Sequence, residues 1–330
     1  MLLPILAILA GFVLLIWSSD KFVDGASGIA RHFGISPLII GLTIVGFGTS
    51  APEMLISGIA AWQGNPHLAV GNAIGSNIAN IALILGTTAL VIPLAMHSRL
   101  LKLELPILLG ATLFTLLLLL DGNLNRLDGI LLVATLLGVM TWLVRDALGA
   151  RQKDALATEF EHELEEASKT QTLNKSILLF IAGLIVLLLS ARLLVWGAVE
   201  IATAFGISDL IIGLTIVAIG TSLPELAASI ASARKDEPDI AIGNVIGSNL
   251  FNMLGVLAIP GLISPGALPS DVISRDYPVM LALTIALFFL AFRFRSDEPK
   301  IGRVAGALLL AAFIGYEIML FLSATGNTGA

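Results

Sequence analysis

Two glutamates stand where a carboxylate is expensive. Glu53 lies in GLTIVGFGTSAPEMLIS, residues 41 to 57, and Glu225 in GLTIVAIGTSLPELAAS, residues 213 to 229; each is the lone ionisable group in a run of apolar or small residues. Burying a charge costs several kcal/mol unless something compensates it, and inside a membrane segment such a group marks a functional site by default. A second motif, G-N-x-x-G-S-N-x-x-N, follows each glutamate. It places Asn72, Ser76 and Asn80, and again Asn244, Ser248 and Asn252, at i, i+4 and i+8, a polar stripe along one helix face. Carboxylate, amide and hydroxyl oxygens suit hard cations such as Ca²⁺ or Na⁺ better than soft transition metals.

The first motif, G-T-S-x-P-E, predicts a broken helix. Pro52 donates no main-chain hydrogen bond and its ring clashes with the Gly48 carbonyl; Pro224 does the same to Gly220. Irregular backbone at membrane depth is tolerated only where it is buried in protein or lines a polar cavity. The carbonyls around Gly46 to Thr49 and Ala218 to Thr221 are therefore candidate cation ligands. Two structural alternatives stand beside this reading. Ser50 and Glu53 form an S-x-x-E capping box, for which Gln would serve equally without carrying a charge into the bilayer. The polar stripes are interhelical glue, with Gly71 and Gly75 allowing close approach. Two stripes, each beside a broken helix bearing a glutamate, favour an ion site.

The elements that must position these residues are membrane helices. A chain of 330 residues that is 57% hydrophobic and 13% charged, with a mean hydropathy of +0.96, has too little polar surface for a soluble globule. Spans are expected near 2–30, 36–62, 67–93, 103–121, 127–145, 175–203, 208–233, 239–263, 276–293 and 303–323. The first lacks the basic region of a signal peptide and is expected to be retained. A shift of 172 residues superposes ISPLIIGLTIVGFGTSAPE on ISDLIIGLTIVAIGTSLPE and AVGNAIGSNIAN on AIGNVIGSNLFN without a gap. Five spans separate equivalent positions, so the second copy crosses in the opposite sense. The expected fold is an all-α polytopic membrane protein of ten transmembrane helices, arranged as two inverted-topology five-helix repeats. The first repeat is residues 1–147, a charged linker occupies 148–174, and the second repeat is 175–330.

Lys and Arg fall almost entirely on one side of this layout, Arg126 and Arg275 being the exceptions in the opposite loops. By the positive-inside rule the linker is cytoplasmic, and both termini lie outside with the loops near Asn65 and Asp271. Of the remaining intramembrane charges, Asp20, Lys21 and Asp24 are expected to snorkel or pair locally, and Arg192 to pair with Glu200 or lie at a helix surface. His32, His67, His97 and His162 lack metal spacing and read as solvated. The chain has no cysteine, so disulfide, thiolate and thiol-nucleophile chemistry are excluded. No G-x-S-x-G elbow, zinc spacing or phosphate loop supports an enzyme, although an acid–base pair made of Glu53 and Glu225 stays open; a channel is disfavoured by the repeat.

The paired GTSAPE/GTSLPE and GNAIGSN/GNVIGSN segments resemble the two alpha repeats of the calcium/cation antiporter superfamily, in its prokaryotic sodium/calcium exchanger-like branch. SRDYPVML, residues 274 to 281, is similar to bacterial inner-membrane members. The resemblance implies cation sites at mid-membrane, built from the second, third, seventh and eighth spans. It implies Glu53 and Glu225 as shared ligands of Ca²⁺ and Na⁺, oxygens from Thr49, Ser50, Thr221, Ser222, Ser76 and Ser248, and Asn80 and Asn252 at the centre. The implied activity is exchange of Ca²⁺ for Na⁺ across the cytoplasmic membrane, with H⁺ coupling as the alternative. No cofactor, nucleic acid or obligatory protein partner is expected; the partners are the ions and the bilayer. Position 252 departs from relatives that carry aspartate there, which argues against K⁺ coupling and removes one acidic ligand.

Overall fold

The computed structural model describes residues 2–95, 103–153, 172–206, 218–291 and 300–326. The first part of the expected seventh span, most of the linker, His97 and His162 lie outside the described residues. In chain order the helices are α1 (Leu2–Phe33), α2 (Pro37–Thr49), α3 (Ala51–Trp62), α4 (Pro66–Val91), α5 (Leu105–Leu119), α6 (Arg126–Lys153), α7 (Leu173–Ala204), α8 (Ala218–Thr221), α9 (Leu223–Arg234), α10 (Pro238–Ile263), α11 (Val272–Leu290) and α12 (Arg303–Gly326). Among the described residues, seven helices are long and apolar enough to cross a membrane; α2 and α3, bent by 41° at Ser50, make an eighth if taken as one span. The protein is a helical, polytopic membrane protein. Helix α6 runs on to Lys153, into the segment expected as linker.

Proline punctuates the chain. Pro37, Pro52, Pro66, Pro106, Pro224 and Pro238 each sit in the first turn of a helix, where a missing N–H costs nothing. Helices α4 and α10, which carry the polar stripes, are 72% and 78% buried, against 28% for α1 and α7 and 22% for α6 and α12. The stripes therefore run through the centre of the bundle, and the Leu-rich helices face outward. Two apolar clusters hold this arrangement. The larger joins α4 and α10 to α5, α6, α11 and α12; the smaller packs α1 and α7 against α2 and α9 through Phe22, Ala26, Leu187, Ala191 and Ala228.

Neighbouring helices have defined senses. Gly11 of α1 meets Ser190 and Leu194 of α7, whereas Gly25 meets Ser176 and Phe180, so the two run antiparallel. Gly41 of α2 meets Ile240 and Asn244 of α10, and Gly46 meets Gly247 and Ser248, so these two run parallel. Strand β1 (Leu94–Ala95) pairs antiparallel with β4 (Lys300–Ile301), and β2 (Asn123–Leu124) with β3 (Gly266–Ala267). Each pair ties a connection of the first half to one of the second.

The SRDY stretch is a packing anchor. Arg275 donates to Asp276 at 2.7 Å and to Asp271 at 3.1 Å; Tyr277 donates to the Thr112 carbonyl at 2.6 Å, fixing α11 to α5. The seam between α2 and α10 is sterically strict. A Cβ at Gly41 would lie 2.6 Å from the Ile240 carbonyl oxygen, whereas one at Gly58 meets nothing within 4 Å. Gly41→Ala is expected to cost about 1–3 kcal/mol through forced separation of the helices. Gly58→Ala should be neutral or slightly stabilising, because alanine favours the helix. Thermal unfolding in detergent checks the pair, and equal shifts would sink the seam argument.

Candidate cation site

Each glutamate is delivered by a helix that restarts. Ser50 (φ −82°, ψ 0°) separates α2 from α3, and Ser222 (φ −89°, ψ 0°) separates α8 from α9. The Ser50 amide donates back to the Gly46 carbonyl at 3.0 Å and the Ser222 amide to Ile219 at 3.1 Å. The capping-box alternative is thereby corrected. Neither serine side chain caps its helix, and the amide that a capping glutamate would reach is already used on the preceding turn. The Gly46 carbonyl, expected as freed, holds that same bond, leaving its second lone pair for any other ligand.

The second motif braces the first in the same way in both halves. Asn72 donates to the Glu53 main-chain carbonyl at 3.2 Å and to Ser57 at 3.1 Å; Asn244 donates to the Glu225 carbonyl at 3.4 Å and to Ser229 at 3.3 Å. The halves also interlock. Thr49 donates to Asn244 Oδ1 at 3.0 Å or back to Val45 at 3.2 Å, and stands 3.4 Å from Ser248. Asn80 donates to Asn249 Oδ1 at 3.0 Å. Both stripes end in a π-helical turn, Ala79–Leu85 and Asn252–Val256, a widening that often accompanies functional sites.

Glu53 and Glu225 are 1% and 2% exposed, and Thr49, Ser50, Ser76, Ser222, Ser248, Asn80 and Asn252 are buried with them. Thr221 is half-buried, and Ala218 opens α8 directly after the undescribed stretch. Four buried oxygens of the predicted site residues have no hydrogen-bond partner, Ser50 Oγ, Glu53 Oε2, Glu225 Oε2 and Asn252 Oδ1; Asn249 Nδ2, a donor, and Asn77 Oδ1, whose amide faces Met280 of α11, are unpaired as well. Native interiors pair nearly all such atoms, so unpaired oxygens on and beside two buried carboxylates leave acceptor capacity for a cation. Among the described residues no group of three or more His, Cys, Asp or Glu could hold a metal, so neutral oxygens must complete any coordination shell. That donor set fits Ca²⁺ and Na⁺.

The chain matches the model of the sodium/calcium exchanger protein family over residues 3–145 and 175–322. It belongs to that family. This exchanger-family chain is 49% identical over 323 residues to the CaxA protein of Alkalimonas amylolytica, covering 98% of this chain and 100% of that one. It is 44% identical to the inner membrane protein YrbG of Escherichia coli, covering 97% and 98%. Its fold superposes on the sodium-calcium exchanger NCX_Mj, soaked with zero Na⁺ and Ca²⁺, with a TM-score of 0.82 at 35% identity, covering 97% and 99%.

Reading by stripe missed Asn77 and Asn249, which adjoin it by one position and are 2% and 1% exposed, and also Ser57 and Ser229. The shared G-S-N triplet was the available signal. Away from the site, Asp24 pairs with Lys235 beyond α9 at 2.7 Å and with Lys21 at 3.6 Å, while the expected Arg192–Glu200 pair does not form. Arg192 instead lines a cavity of about 570 Å³ between α3, α7 and the start of α9, whose walls include Pro52, Leu55, Leu189, Thr221 and Pro224. A smaller cavity of about 200 Å³ lies between α1 and α9, with Ser19, Asp20 and Arg234 in its wall.

Proposed function

We propose that this protein is a secondary active antiporter that exchanges Ca²⁺ for Na⁺ across the cytoplasmic membrane by alternating access. The observation that carries the reading is the pair of buried glutamates, each with an unpaired oxygen, together with the unpaired Ser50 and Asn252 oxygens, an electrostatic debt that a bound cation settles. The metal ligands on this reading are Glu53, Glu225, Thr49, Thr221, Ser50, Ser222, Ser76, Ser248, Asn80 and Asn252, with main-chain oxygens at Gly46 and Ala218.

The chain has ten spans in two inverted repeats on this reading, with both termini outside and the linker cytoplasmic. Antiparallel α1 and α7, which occupy equivalent places 172 residues apart, support the inversion. The strand pairs support the count: β1 and β4 both follow odd spans and β2 and β3 both follow even ones, as two loops that pair on one membrane face must. The two cavities also occupy equivalent places, since Ala51 and Leu55 of the larger correspond to Leu223 and Ala227 of the smaller. With this orientation the large cavity opens toward the outside and the small one toward the cytoplasm, an arrangement that alternating access interconverts.

If both carboxylates are ionised the empty site carries a charge near −2, which one Ca²⁺ or two Na⁺ cancel. The empty site is disfavoured in the low-dielectric barrier, so the protein changes sides loaded, and exchange follows. If three Na⁺ replace one Ca²⁺, one charge moves inward per cycle, and at 100 mV that adds about 2.3 kcal/mol toward calcium export. The test is ⁴⁵Ca²⁺ uptake into proteoliposomes under an outward Na⁺ gradient, compared with an outward H⁺ gradient. Uptake driven by Na⁺ is the expected result. Uptake driven only by H⁺ reassigns the coupling ion, and no uptake under either gradient overturns the transport reading.

A further inference from the structure

The two cavities share five equivalent wall positions, and at one of these they differ in charge. Arg192 of the larger cavity corresponds, 172 residues earlier, to Asp20 of the smaller. Arg192 is the one charged side chain lining the larger cavity, and it makes no ion pair with the described residues. In the smaller cavity Asp20 is offset by Arg234. The larger cavity lies beside the candidate site: its wall includes Thr221, itself a candidate ligand, and Pro52 and Pro224, which immediately precede the two glutamates. A guanidinium stays charged at any working pH, so a cation passing this way meets a permanent positive potential.

Resting on the exchange reading, we infer that Arg192 sets the ion preference of the outer entrance by opposing divalent cations more strongly than monovalent ones. The energy of an ion in a fixed potential scales with its charge, so the penalty factor for Ca²⁺ is the square of that for Na⁺. Arg192 thus weakens outer-side binding of Ca²⁺ more than that of Na⁺, which shifts the competition there toward Na⁺. The inner cavity, with balanced charge, carries no such bias. Removing the charge is expected to lower half-saturating outer Na⁺ about two- to threefold and, by the squared relation, outer Ca²⁺ about four- to ninefold, the size expected of a unit charge at about 8 Å through water.

The absence of cysteine allows a test that does not depend on transport. Leu55→Cys places a single thiol in the cavity wall, and its reaction rates with cationic and anionic methanethiosulfonates are compared in reconstituted protein carrying Arg192, Arg192→Gln or Arg192→Lys. The anionic-to-cationic rate ratio should fall several-fold in Arg192→Gln and return in Arg192→Lys; changes in accessibility cancel in the ratio. An unchanged ratio overturns the inference, and so does failure of the thiol to react with either reagent, which would put the cavity in lipid. In exchange assays the squared relation between the Ca²⁺ and Na⁺ shifts supports it, and equal shifts overturn it. Loss of all exchange in the unmodified protein would remove the functional reading, while the thiol ratio would still decide whether Arg192 governs the field in this cavity.

Discussion

Glu53→Gln and Glu225→Gln are each expected to abolish calcium exchange, by at least about a thousandfold, while leaving a folded, membrane-inserted protein. Glutamine is nearly isosteric with glutamate and keeps one acceptor oxygen, so the substitution deletes charge with little change in shape. A unit charge pair at 4 Å is worth about 4 kcal/mol at an effective dielectric constant of 20, and Ca²⁺ doubles that, so losing one carboxylate removes more than the threshold for a thousandfold loss. Stability should move the other way. Each carboxylate is almost completely buried with one oxygen unpaired, so without cation the Gln variants should unfold at the same temperature as the parent or higher. Calcium should raise the melting temperature of the parent, because a ligand at 100 times its Kd adds about 2.7 kcal/mol, and this increment should vanish in the variants. Transport at parental rates in both variants would remove the two glutamates from the site.

The sequence carried the repeat, the broken helices and the pair of glutamates because each leaves a local mark: a proline, a charge in an apolar run, a spacing repeated after 172 residues. What it did not carry is contact between elements. Nothing in the spacing of Thr49 indicates Asn244 as its acceptor, since the two meet only when α2 lies parallel to α10. Asn77 and Asn249 escaped the stripe because they sit one residue past Ser76 and Ser248, on a different side of a helix that is enclosed by protein there too, and spacing along one face does not show that. Span counting met a different limit. Helix α5 has only 15 residues, and α2 and α3 pass as one span only across their bend, so length and hydropathy alone find fewer crossings than charge placement implies. The capping box failed for a geometric reason, because the Ser50 amide is already bonded to Gly46.

The two bracing asparagines look interchangeable in the sequence, and the structure makes them unequal. Asn72 supports the Glu53 carbonyl and Ser57, both within its own half. Asn244 does the equivalent for Glu225 and Ser229 and in addition accepts from Thr49 across the two halves. Leucine in place of asparagine keeps the volume and removes every hydrogen bond. In Asn244→Leu the Glu225 carbonyl and Ser229 each lose a donor and Thr49 loses an acceptor; at about 1–3 kcal/mol for a buried group left unsatisfied, a loss of roughly a hundredfold or more in exchange follows. Asn72→Leu strands fewer groups and should cost several-fold less. The losses from Asn244→Leu and Thr49→Val should combine to less than their sum, because the bond linking them is lost only once, whereas Asn72→Leu and Thr49→Val should add. Initial ⁴⁵Ca²⁺ uptake rates for the three single and two double variants check this, and equal losses at Asn72 and Asn244 with additivity in both pairs would show that the cross-half bond contributes nothing to the site.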